Sequence, residues 1–430
     1  MADTFHDHDV VFEMATSHLR FGAGATSEVG MDLADMQARR VLLVTDARLA
    51  RLAPVTKVCE SLERERIQFE LYDRVRVEPT DESFQEAIAI AAAGDFDAFV
   101  AVGGGSTIDT AKAANLYATY PADLLTYVNA PIGKARPVPG PLKPLIAVPT
   151  TAGTGSETTG VAIFDLLATH AKTGIAHRRL KPTLGIVDPD NTRTQPPLVA
   201  ASCGLDVLCH ALESYTAIPF DSRPRPPRPN LRPAYQGANP VSDIWSLKAL
   251  ELTARYLPRA CRDPDDDEAR WNMLLASSYA GMGFGNAGVH LCHGMSYPVS
   301  GMVRGYFPPG YPEDHALVPH GISVILTAPA VFRFTGPALP ERHLRAAEVL
   351  GARVSGAALA DAGEILAGRL VELIRDLNLP NGLAAIGFTV ADVPALAKGA
   401  LVQHRVTKLS PRPAGEDDLA ELFENSLTLW

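Results

Sequence analysis

The first half of the chain alternates short apolar runs with helical patterns, and this alternation limits the folds that the chain can adopt. The apolar runs lie at residues 40–45, 67–72, 97–102 and 144–149. Residues 81–93 carry the periodicity of an amphipathic helix between two of them. Strands separated by helices favour a parallel sheet covered by helices. We therefore predict an α/β domain with a Rossmann-like parallel sheet over residues 1–195.

The pattern changes after Asp188, where helical periodicity replaces the strand-like runs. Helical patterns cover residues 198–215, 241–257, 267–282, 344–377 and 417–427. We therefore predict an all-helical domain over residues 196–430. A proline-rich segment at about residues 218–239, with four arginines, interrupts this domain. Proline at this density prevents a helix and favours an extended surface loop, and a ligand for an SH3-type domain is the alternative.

Net charge and apolar content exclude two classes of partner. The formal charge of −10 argues against binding of nucleic acid or of an acidic membrane surface. No segment reaches the roughly 18 uninterrupted apolar residues that a membrane span needs. The five cysteines are scattered and lack C-x-x-C spacing, which is typical of reduced thiols. Because the N-terminus has neither a secretory signal nor an Arg- and Ser-rich leader, we expect a bacterial cytoplasmic protein, or a mitochondrial matrix protein if the source is eukaryotic.

Two residues of a predicted helix are spaced to bind one metal ion. Asp206 and His210 are four residues apart, so their Cβ atoms lie about 5–6 Å apart on one helix face. Further imidazoles stand beside glycines at His293 and His320, and His290 lies close before the first of these. One carboxylate with two or three imidazoles suits iron(II) or zinc better than calcium. The spacing alone leaves the choice between His290 and His293 open.

Two glycine-rich turns follow neighbouring apolar runs. The first turn contains Gly103, Gly104, Gly105, Ser106 and Asp109. The second turn contains Thr150, Thr151, Gly153 and Ser156. Backbone amides in such turns, together with a helix N-terminus, can bind a phosphate group. The first turn departs from the G-x-G-x-x-G pattern at Ile108, but two turns at adjacent strand ends predict a site for a dinucleotide.

Asp46 ends the first apolar run and is the candidate for the ribose of that dinucleotide. A carboxylate there can accept hydrogen bonds from ribose hydroxyls and would repel a 2′-phosphate, which favours NAD over NADP. The alternative is that Asp46 caps the N-terminus of the next helix.

The glycine turn and the metal spacing together resemble those of the iron-containing (group III) alcohol dehydrogenase family. The resemblance rests on Gly103-Gly-Gly-Ser-x-x-Asp109, on Asp206-x3-His210 and on the two later His-Gly elements. Within that family the chain is most similar to the hydroxyacid-oxoacid transhydrogenases, in segments that include residues 285–297 and 406–413. The resemblance implies the two-domain architecture shared with dehydroquinate synthase, with the active site in the cleft between the domains. We also expect a homo-oligomer, a dimer.

The resemblance also implies roles for three residues. The first histidine of the family's H-G-M-A-H-like element is a metal ligand and aligns with His293, which leaves His290 as a packing residue behind the ligands. The family often has a second histidine where this chain has Tyr297. We predict that Tyr297 orients the substrate oxygen, while the proton leaves through water and the cofactor ribose.

The activity that the resemblance implies is hydride exchange through tightly bound NAD, between 4-hydroxybutyrate and 2-oxoglutarate, giving succinate semialdehyde and 2-hydroxyglutarate. Because both substrates carry carboxylates, a cation should line the pocket. The candidates are Lys134, Arg304 and an arginine of the proline-rich segment. The alternatives are an ordinary NAD-dependent iron alcohol dehydrogenase that releases NADH, a lyase similar to dehydroquinate synthase, and a non-catalytic metal-binding protein.

Overall fold

The first half of the molecule is built on a six-stranded parallel sheet. A computed structural model describes residues 8–169 and 171–430. The strands are β1 (His18–Phe21), β2 (Arg40–Val44), β3 (Gln68–Tyr72), β4 (Ala98–Gly103), β5 (Leu145–Pro149), β6 (Val161–Leu166), β7 (Ala171–Ala176) and β8 (Leu184–Val187). The sheet has the order β1-β8-β5-β4-β2-β3, and β6 pairs with β7 in a separate antiparallel hairpin. The four predicted runs are β2 to β5, so the predicted parallel sheet is confirmed.

Helices cover both faces of this sheet. They are α1 (Val29–Asp35), α2 (Ala53–Arg64), α3 (Asp81–Ala93) and α4 (Gly105–Thr119). Val41 and Leu43 of β2 join the apolar cluster formed with α1 and α2. Leu42 and Val44 point the other way and join the cluster formed with α3 and α4. Burial on both faces explains why β2, β4 and β5 read as continuous apolar runs without polar alternation.

The strand order places a crevice at the carboxyl ends of β2 and β4. The chain passes from β2 outward to β3 and then returns to the opposite side of β2 for β4 and β5. Ligands of open α/β sheets bind where the strand order reverses in this way. The backbone amide of Thr150 donates to the carbonyl of Gly103 at 3.1 Å, which holds the two glycine-rich turns side by side. The fold therefore brings both turns to the mouth of the crevice.

The second half is helical, as predicted. Its helices are α5 (Pro197–Thr216), α6 (Pro240–Arg262), α7 (Asp267–Ala287), α8 (Leu291–Gly301), α9 (His320–Ile325), α10 (Ala328–Thr335), α11 (Pro340–Val349), α12 (Ala362–Asp376), α13 (Val393–Leu401), α14 (His404–Thr407) and α15 (Glu416–Glu424). The predicted domain boundary at residues 195 and 196 falls in the connection between β8 and α5. None of the helices in the described part of the chain is long and apolar enough to cross a membrane.

The helical pattern at residues 344–377 is divided in the structure. It corresponds to α11 and α12, with a non-helical connection between them. Gly351 and Gly356 in this connection have φ values of +92° and +80°. Glycine adopts such values without a steric penalty, and the chain can therefore leave one helix and enter the next at a new angle.

The proline-rich segment is extended and is fastened to the N-terminal part of the chain. Asp9 is buried, and its carboxylate pairs with Arg223 Nη2 and Arg232 Nε, each at 2.9 Å. These two arginines therefore neutralise an internal carboxylate, and they do not line the crevice.

Candidate active site

Helix α5 carries the first two predicted metal ligands in the interior of the helical half. Asp206 and His210 lie one turn apart and are 2% and 4% exposed. Helix α9 begins at His320 and packs very close to α5. A Cβ atom on Gly321 would lie 1.8 Å from the carbonyl oxygen of Ser202. The glycine after His320 thus allows the close approach that brings this imidazole beside Asp206.

The three imidazoles converge on one carboxylate oxygen. The Nε2 atoms of His293, His210 and His320 lie 3.4, 3.7 and 3.8 Å from Asp206 Oδ1. The ligand atoms of Asp206, His293 and His320 all lie within 4.8 Å of one another. His210 joins them from the side, with its ring stacked on that of His293 at 4.5 Å between centroids. The other face of His210 stacks on Phe284 at 3.8 Å.

This cluster fits a divalent metal ion. Asp206 Oδ1 and His293 Nε2 are buried and have no hydrogen-bond partner. Each buried polar atom without a partner costs about 1–3 kcal/mol, and an ion bound between these atoms would remove that cost. Four ligands at the 2.0–2.1 Å typical of zinc would be separated by about 3.4 Å, close to the distances observed. The donor set of one carboxylate and three imidazoles suits iron(II) or zinc.

The protonation of two members of the cluster, His210 and Asp206, also suits metal binding. Burial lowers the pKa of His210 to about 3, so its imidazole is neutral with a lone pair to donate. Burial acts to raise the pKa of Asp206, but the imidazoles of His210 and His320 outweigh it and hold this pKa well below its usual range. The carboxylate is therefore ionised, as a metal ligand must be.

Glu213 lies behind the cluster and was missed in the sequence. Its Oε2 makes a short contact with His293 Nδ1, and its Oε1 accepts from the backbone amide of Cys292 at 2.6 Å. A carboxylate on the far nitrogen of a ligating histidine fixes the tautomer that leaves Nε2 free for the metal. Glu213 follows Asp206 at i+7 and His210 at i+3, on the same helix face, and this spacing could have identified it.

His290 lies on the protein side of Glu213, away from the metal cluster. Its Nδ1 is 3.2 Å from Glu213 Oε1, and its Nε2 is 3.0 Å from Thr216 Oγ1. The structure thus brings His293 into the cluster and leaves His290 packed behind it, the arrangement that the resemblance implied.

A long cleft extends from the sheet to the metal cluster. It encloses about 1250 Å³, with Asp46 at one end and Asp206 and His320 at the other. Five of the predicted cofactor residues line its middle. They are Gly104, Gly105, Ser106, Thr150 and Thr151. Helix α4 begins at Gly105, so its N-terminal amides face this cleft.

Asp46 bonds to the start of the next turn and also lies at the cleft. Its Oδ1 accepts hydrogen bonds from the amides of Arg48 and Leu49 at 2.9 and 3.0 Å, at the start of the short turn Leu49–Arg51. The side chain also lines the end of the long cleft.

The remaining predicted cofactor residues lie against the cleft without lining it. A Cβ on Gly103 would lie 2.3 Å from Thr107 Oγ1, and one on Gly153 would lie 2.8 Å from Cys203 Cβ. Both glycines therefore permit close packing. Asp109 accepts from Ser156 Oγ at 2.6 Å and from the amide of Ile163 at 2.9 Å, in a buried network that joins α4 to the hairpin.

A second cavity of about 710 Å³ lies on the other side of the cluster. The four predicted metal ligands line it, together with Tyr297 and two cations that the sequence did not indicate, Lys172 and Arg405. The two cavities share six lining residues. These are Glu78, Gly105, Ser106, Thr154, Asp206 and His320. One ligand in the long cleft and another in the second cavity would thus meet beside the cluster.

The structure does not bring Lys134 or Arg304 to this site. Lys134 is exposed in a shallow surface groove with Arg136. Arg304 pairs with Asp392 at 2.7 Å, and its side chain is 76% exposed. Both were chosen because they lie near motifs along the sequence, and the fold carries them elsewhere. Lys172 comes from β7 and Arg405 from α14, so only the tertiary structure places them in the cavity.

Comparison with known proteins identifies the family. The model of the iron-containing alcohol dehydrogenase family matches residues 16–189, and the model of its C-terminal domain matches residues 234–427. The chain belongs to the iron-containing alcohol dehydrogenase family. The resemblance seen in the sequence is thus confirmed, and this member of the family is an oxidoreductase.

Curated relatives of this dehydrogenase-family member match over almost its whole length. It is 61% identical to the mitochondrial hydroxyacid-oxoacid transhydrogenase of Bos taurus, with 98% of this chain and 91% of that protein covered. The Homo sapiens protein of that name is 60% identical, with the same coverage. The probable mitochondrial hydroxyacid-oxoacid transhydrogenase of Dictyostelium discoideum is 55% identical, with 98% and 80% covered.

Solved structures of iron-type dehydrogenases share the fold. A 1,3-propanediol oxidoreductase superimposes with a TM-score of 0.84 at 29% identity, over 97% of this chain and 100% of that one. An alcohol dehydrogenase from Oenococcus oeni gives a TM-score of 0.84 at 26% identity, over 97% and 100%. The predicted fold class is therefore confirmed.

Proposed function

We propose that this protein is a hydroxyacid-oxoacid transhydrogenase that works through tightly bound NAD and a divalent metal. The proposed substrates are 4-hydroxybutyrate and 2-oxoglutarate, and the products are succinate semialdehyde and 2-hydroxyglutarate. One observation carries the proposal: a cleft lined by both glycine-rich turns and a separate cavity with the Arg405 guanidinium meet beside one carboxylate-and-histidine cluster. The identity of about 60% to curated transhydrogenases supports it.

Asp206, His210, His293 and His320 would hold the metal, with iron(II) favoured by the family and zinc as the alternative. A divalent ion there supplies Lewis acidity, which makes a substrate hydroxyl easier to deprotonate. Glu213 would keep His293 in the tautomer that presents Nε2 to the ion.

The long cleft would hold NAD along its length. The amides at the start of α4, near Gly105, face the position for a diphosphate. Asp46 would accept from the adenosine ribose and repel a 2′-phosphate, which supports NAD over NADP. The nicotinamide would then lie at the junction of the two cavities, next to His320.

A segment of the helical half supports retention of the cofactor. Gly310, Tyr311 and Pro312 form one wall of the long cleft. The guanidinium of Arg48, at the opposite wall, donates to the carbonyls of Gly310 and Tyr311 at 3.3 and 3.4 Å. These bonds join the two halves of the molecule across the cleft, and a bound dinucleotide would have to break them to leave.

Tyr297 is the proposed residue for orienting the substrate. Its side chain is 4% exposed, and its hydroxyl accepts a hydrogen bond from Arg405 Nη2 at 2.9 Å. Because the guanidinium occupies a lone pair of the oxygen, the tyrosine proton remains available to donate to a bound oxygen. The substrate proton would leave through water and the cofactor ribose. If Tyr297→Phe keeps full turnover and the same pH profile, this role is wrong.

The deciding assay omits free cofactor. Purified protein is incubated with 4-hydroxybutyrate, with and without 2-oxoglutarate, and with no added NAD. We expect succinate semialdehyde to form only when 2-oxoglutarate is present. If the reaction depends on added NAD and free NADH accumulates, the protein is an ordinary iron alcohol dehydrogenase, and the transhydrogenase proposal fails.

The proposal also covers the cellular compartment and the oligomeric state of the protein. The curated relatives are named mitochondrial, and we propose the matrix as the compartment for a eukaryotic source and the cytoplasm for a bacterial one. We propose a homodimer, which light scattering of the purified protein would test.

A further inference from the structure

The cavity beside the metal cluster contains two cations, and only one of them is already neutralised. Lys172 is buried, and its Nζ lies 2.5 Å from Glu78 Oε2 and 3.3 Å from Asp165 Oδ1. Two carboxylates therefore compensate this ammonium group. Arg405 is the cation of the cavity that no carboxylate of the described residues neutralises.

Aromatic residues hold the Arg405 guanidinium in place. Its Nη2 donates to Tyr297 Oη at 2.9 Å, and its Cζ lies over the Tyr235 ring, 4.9 Å from the centroid. Gly294 permits α8 to approach α14 closely, since a Cβ there would lie 2.7 Å from Thr407 Cγ2. Because stacking and hydrogen bonding fix the plane of the guanidinium, it is oriented before any ligand arrives.

The other terminal nitrogen of Arg405 lacks a partner within the described part of the chain. Nη1 is buried and makes no hydrogen bond there. No acidic side chain in residues 8–169 or 171–430 forms an ion pair with this guanidinium. Burying an unpaired charge is costly unless a counter-ion arrives, and a guanidinium with a free edge matches the two oxygens of a carboxylate.

We infer that Arg405 is the carboxylate anchor for both substrates, which bind to it in turn at one shared site. This inference rests on the proposed function and adds the residue that selects the substrate. It also explains how one site serves two acids. In 4-hydroxybutyrate, two methylene groups separate the reacting carbon from the carboxylate. In 2-oxoglutarate, two methylene groups separate the reacting carbonyl carbon from the distal carboxylate.

The equal spacing makes the two half-reactions geometrically equivalent. The hydroxyacid gives a hydride to the nicotinamide and its hydroxyl proton to solvent, and it leaves as an aldehyde. The oxoacid then occupies the same anchor, takes the hydride back with a proton from solvent, and leaves as a hydroxyacid. Electrons and protons balance over the pair, and no external oxidant is needed. The two substrates must therefore compete for the anchor, and a ping-pong pattern follows.

The test compares an acid with a neutral alcohol of the same length. The kcat/KM ratio of 4-hydroxybutyrate to 1-butanol should fall about 100-fold in Arg405→Gln, because a lost charge pair in a buried site costs several kcal/mol. Arg405→Lys keeps the charge but loses the two-point contact, so its ratio should fall about tenfold. Arg412→Gln is the matched control, since Arg412 also lies over an aromatic ring, that of Phe334, but lies outside both cavities. Its ratio should stay unchanged.

The dependence of kcat/KM on the carbon-chain length of the substrate gives a second test of the Arg405 anchor. In the unmutated protein, kcat/KM should peak at 4-hydroxybutyrate and fall for 3-hydroxypropanoate and 5-hydroxypentanoate. In Arg405→Gln this peak should flatten. 2-Oxoglutarate should inhibit oxidation of 4-hydroxybutyrate competitively at high concentration. A peak that survives the substitution, or noncompetitive inhibition, would overturn the inference.

A binding measurement separates this inference from the proposed function. Butyrate has the carboxylate but no reacting oxygen, and calorimetry can follow its binding to the protein as purified. We expect the butyrate Kd to rise about 100-fold in Arg405→Gln and about tenfold in Arg405→Lys. If turnover depends on added NAD and free NADH accumulates, while butyrate binding still requires Arg405, the transhydrogenase fails and the anchor stands. In the converse outcome, the exchange reaction occurs while both Arg405 variants leave the butyrate Kd and the kcat/KM ratio of 4-hydroxybutyrate to 1-butanol unchanged. In that case the anchor fails and the transhydrogenase stands.

Discussion

The two cavities that meet at the metal cluster are lined by different kinds of chemical group. The long cleft is lined in its middle by glycines, hydroxyl side chains and the amides at the start of α4. The second cavity is lined by titratable side chains from α5, α8, α9, α14 and the hairpin. The first site therefore depends on where the backbone lies, and the second on which functional groups are present. Substitutions should accordingly harm the cleft through steric clash and the cavity through lost charge.

The largest effect should follow from removing the carboxylate at the centre of the cluster. Asp206→Ala should abolish metal retention and lower turnover by at least about 1000-fold, because Lewis-acid polarisation supplies several kcal/mol and each 1.36 kcal/mol is a factor of ten. Elemental analysis gives the metal content, and the exchange assay gives the turnover. Asp243→Ala is the control, because Asp243 pairs with Arg342 and lines neither cavity. Full metal content in Asp206→Ala would contradict the assignment.

Removing the carboxylate behind the cluster should have a smaller effect. Glu213→Gln should weaken metal binding about 10–100-fold, as is typical when the partner of a ligating histidine is replaced. Competition with a chelator measures this affinity. Thr216→Val, one turn further along α5, removes the hydroxyl contacts with His290 and with the Leu212 carbonyl, and it should leave the metal affinity unchanged. Equal metal affinities in the two variants would show that Glu213 does not position His293.

A steric change should weaken the cleft without altering the cluster. A Cβ on Gly105 would lie 2.5 Å from Thr154 Cγ2, so Gly105→Ala forces Thr154 to move at the junction of the cavities. Overpacking costs about 1–3 kcal/mol, which corresponds to roughly tenfold weaker NAD binding. Titration of cofactor-stripped protein measures this, and metal content should be unchanged.

Two further variants sharpen that steric test. Gly105→Ala with Thr154→Ser removes the clashing methyl group and should restore most of the affinity. Gly368→Ala, in α12, meets no atom within 4 Å and should leave NAD binding as it is. Failure of the double variant to recover any affinity would show that the alanine acts through the backbone of the turn.

The smallest effect concerns the bonds across the cleft. Arg48 is exposed, and its hydrogen bonds to Gly310 and Tyr311 are long. Arg48→Met should therefore accelerate NAD release only about threefold, in line with the modest worth of exposed hydrogen bonds. Exchange of bound for labelled NAD gives the rate. Arg51→Met, on the same short turn but outside the cleft, should release NAD at the original rate.

The contrast between the cavities also explains what the sequence could predict. Glycine turns after strands and a carboxylate four residues before a histidine are local patterns. The geometry of one turn or one helix is enough to place their residues. Glu213 follows the same helix spacing and could have been found. Arg405 lies 108 residues beyond Tyr297 along the chain, and only packing of α14 against α8 joins them. Lys134 and Arg304 were selected by proximity in sequence, which does not report proximity in space.

Two neighbouring strands at one side of the sheet were missed for a related reason. Strands β1 and β8 contain four residues each. Such short runs carry too few residues to show a period, and their pairing with each other is a long-range contact between residues 18–21 and 184–187.

The bonds from Arg48 to the wall of the cleft have a consequence for cellular chemistry. A dehydrogenase that exchanges its cofactor takes its direction from the ratio of free NADH to NAD in its compartment. NAD that stays bound does not exchange with the free pool of NAD and NADH. The direction of the reaction then depends only on the concentrations of the two acids and their products. Retention of NAD would thus uncouple the oxidation of one metabolite from the redox state of its surroundings, and the two hydrogen bonds of Arg48 would supply a small part of that retention.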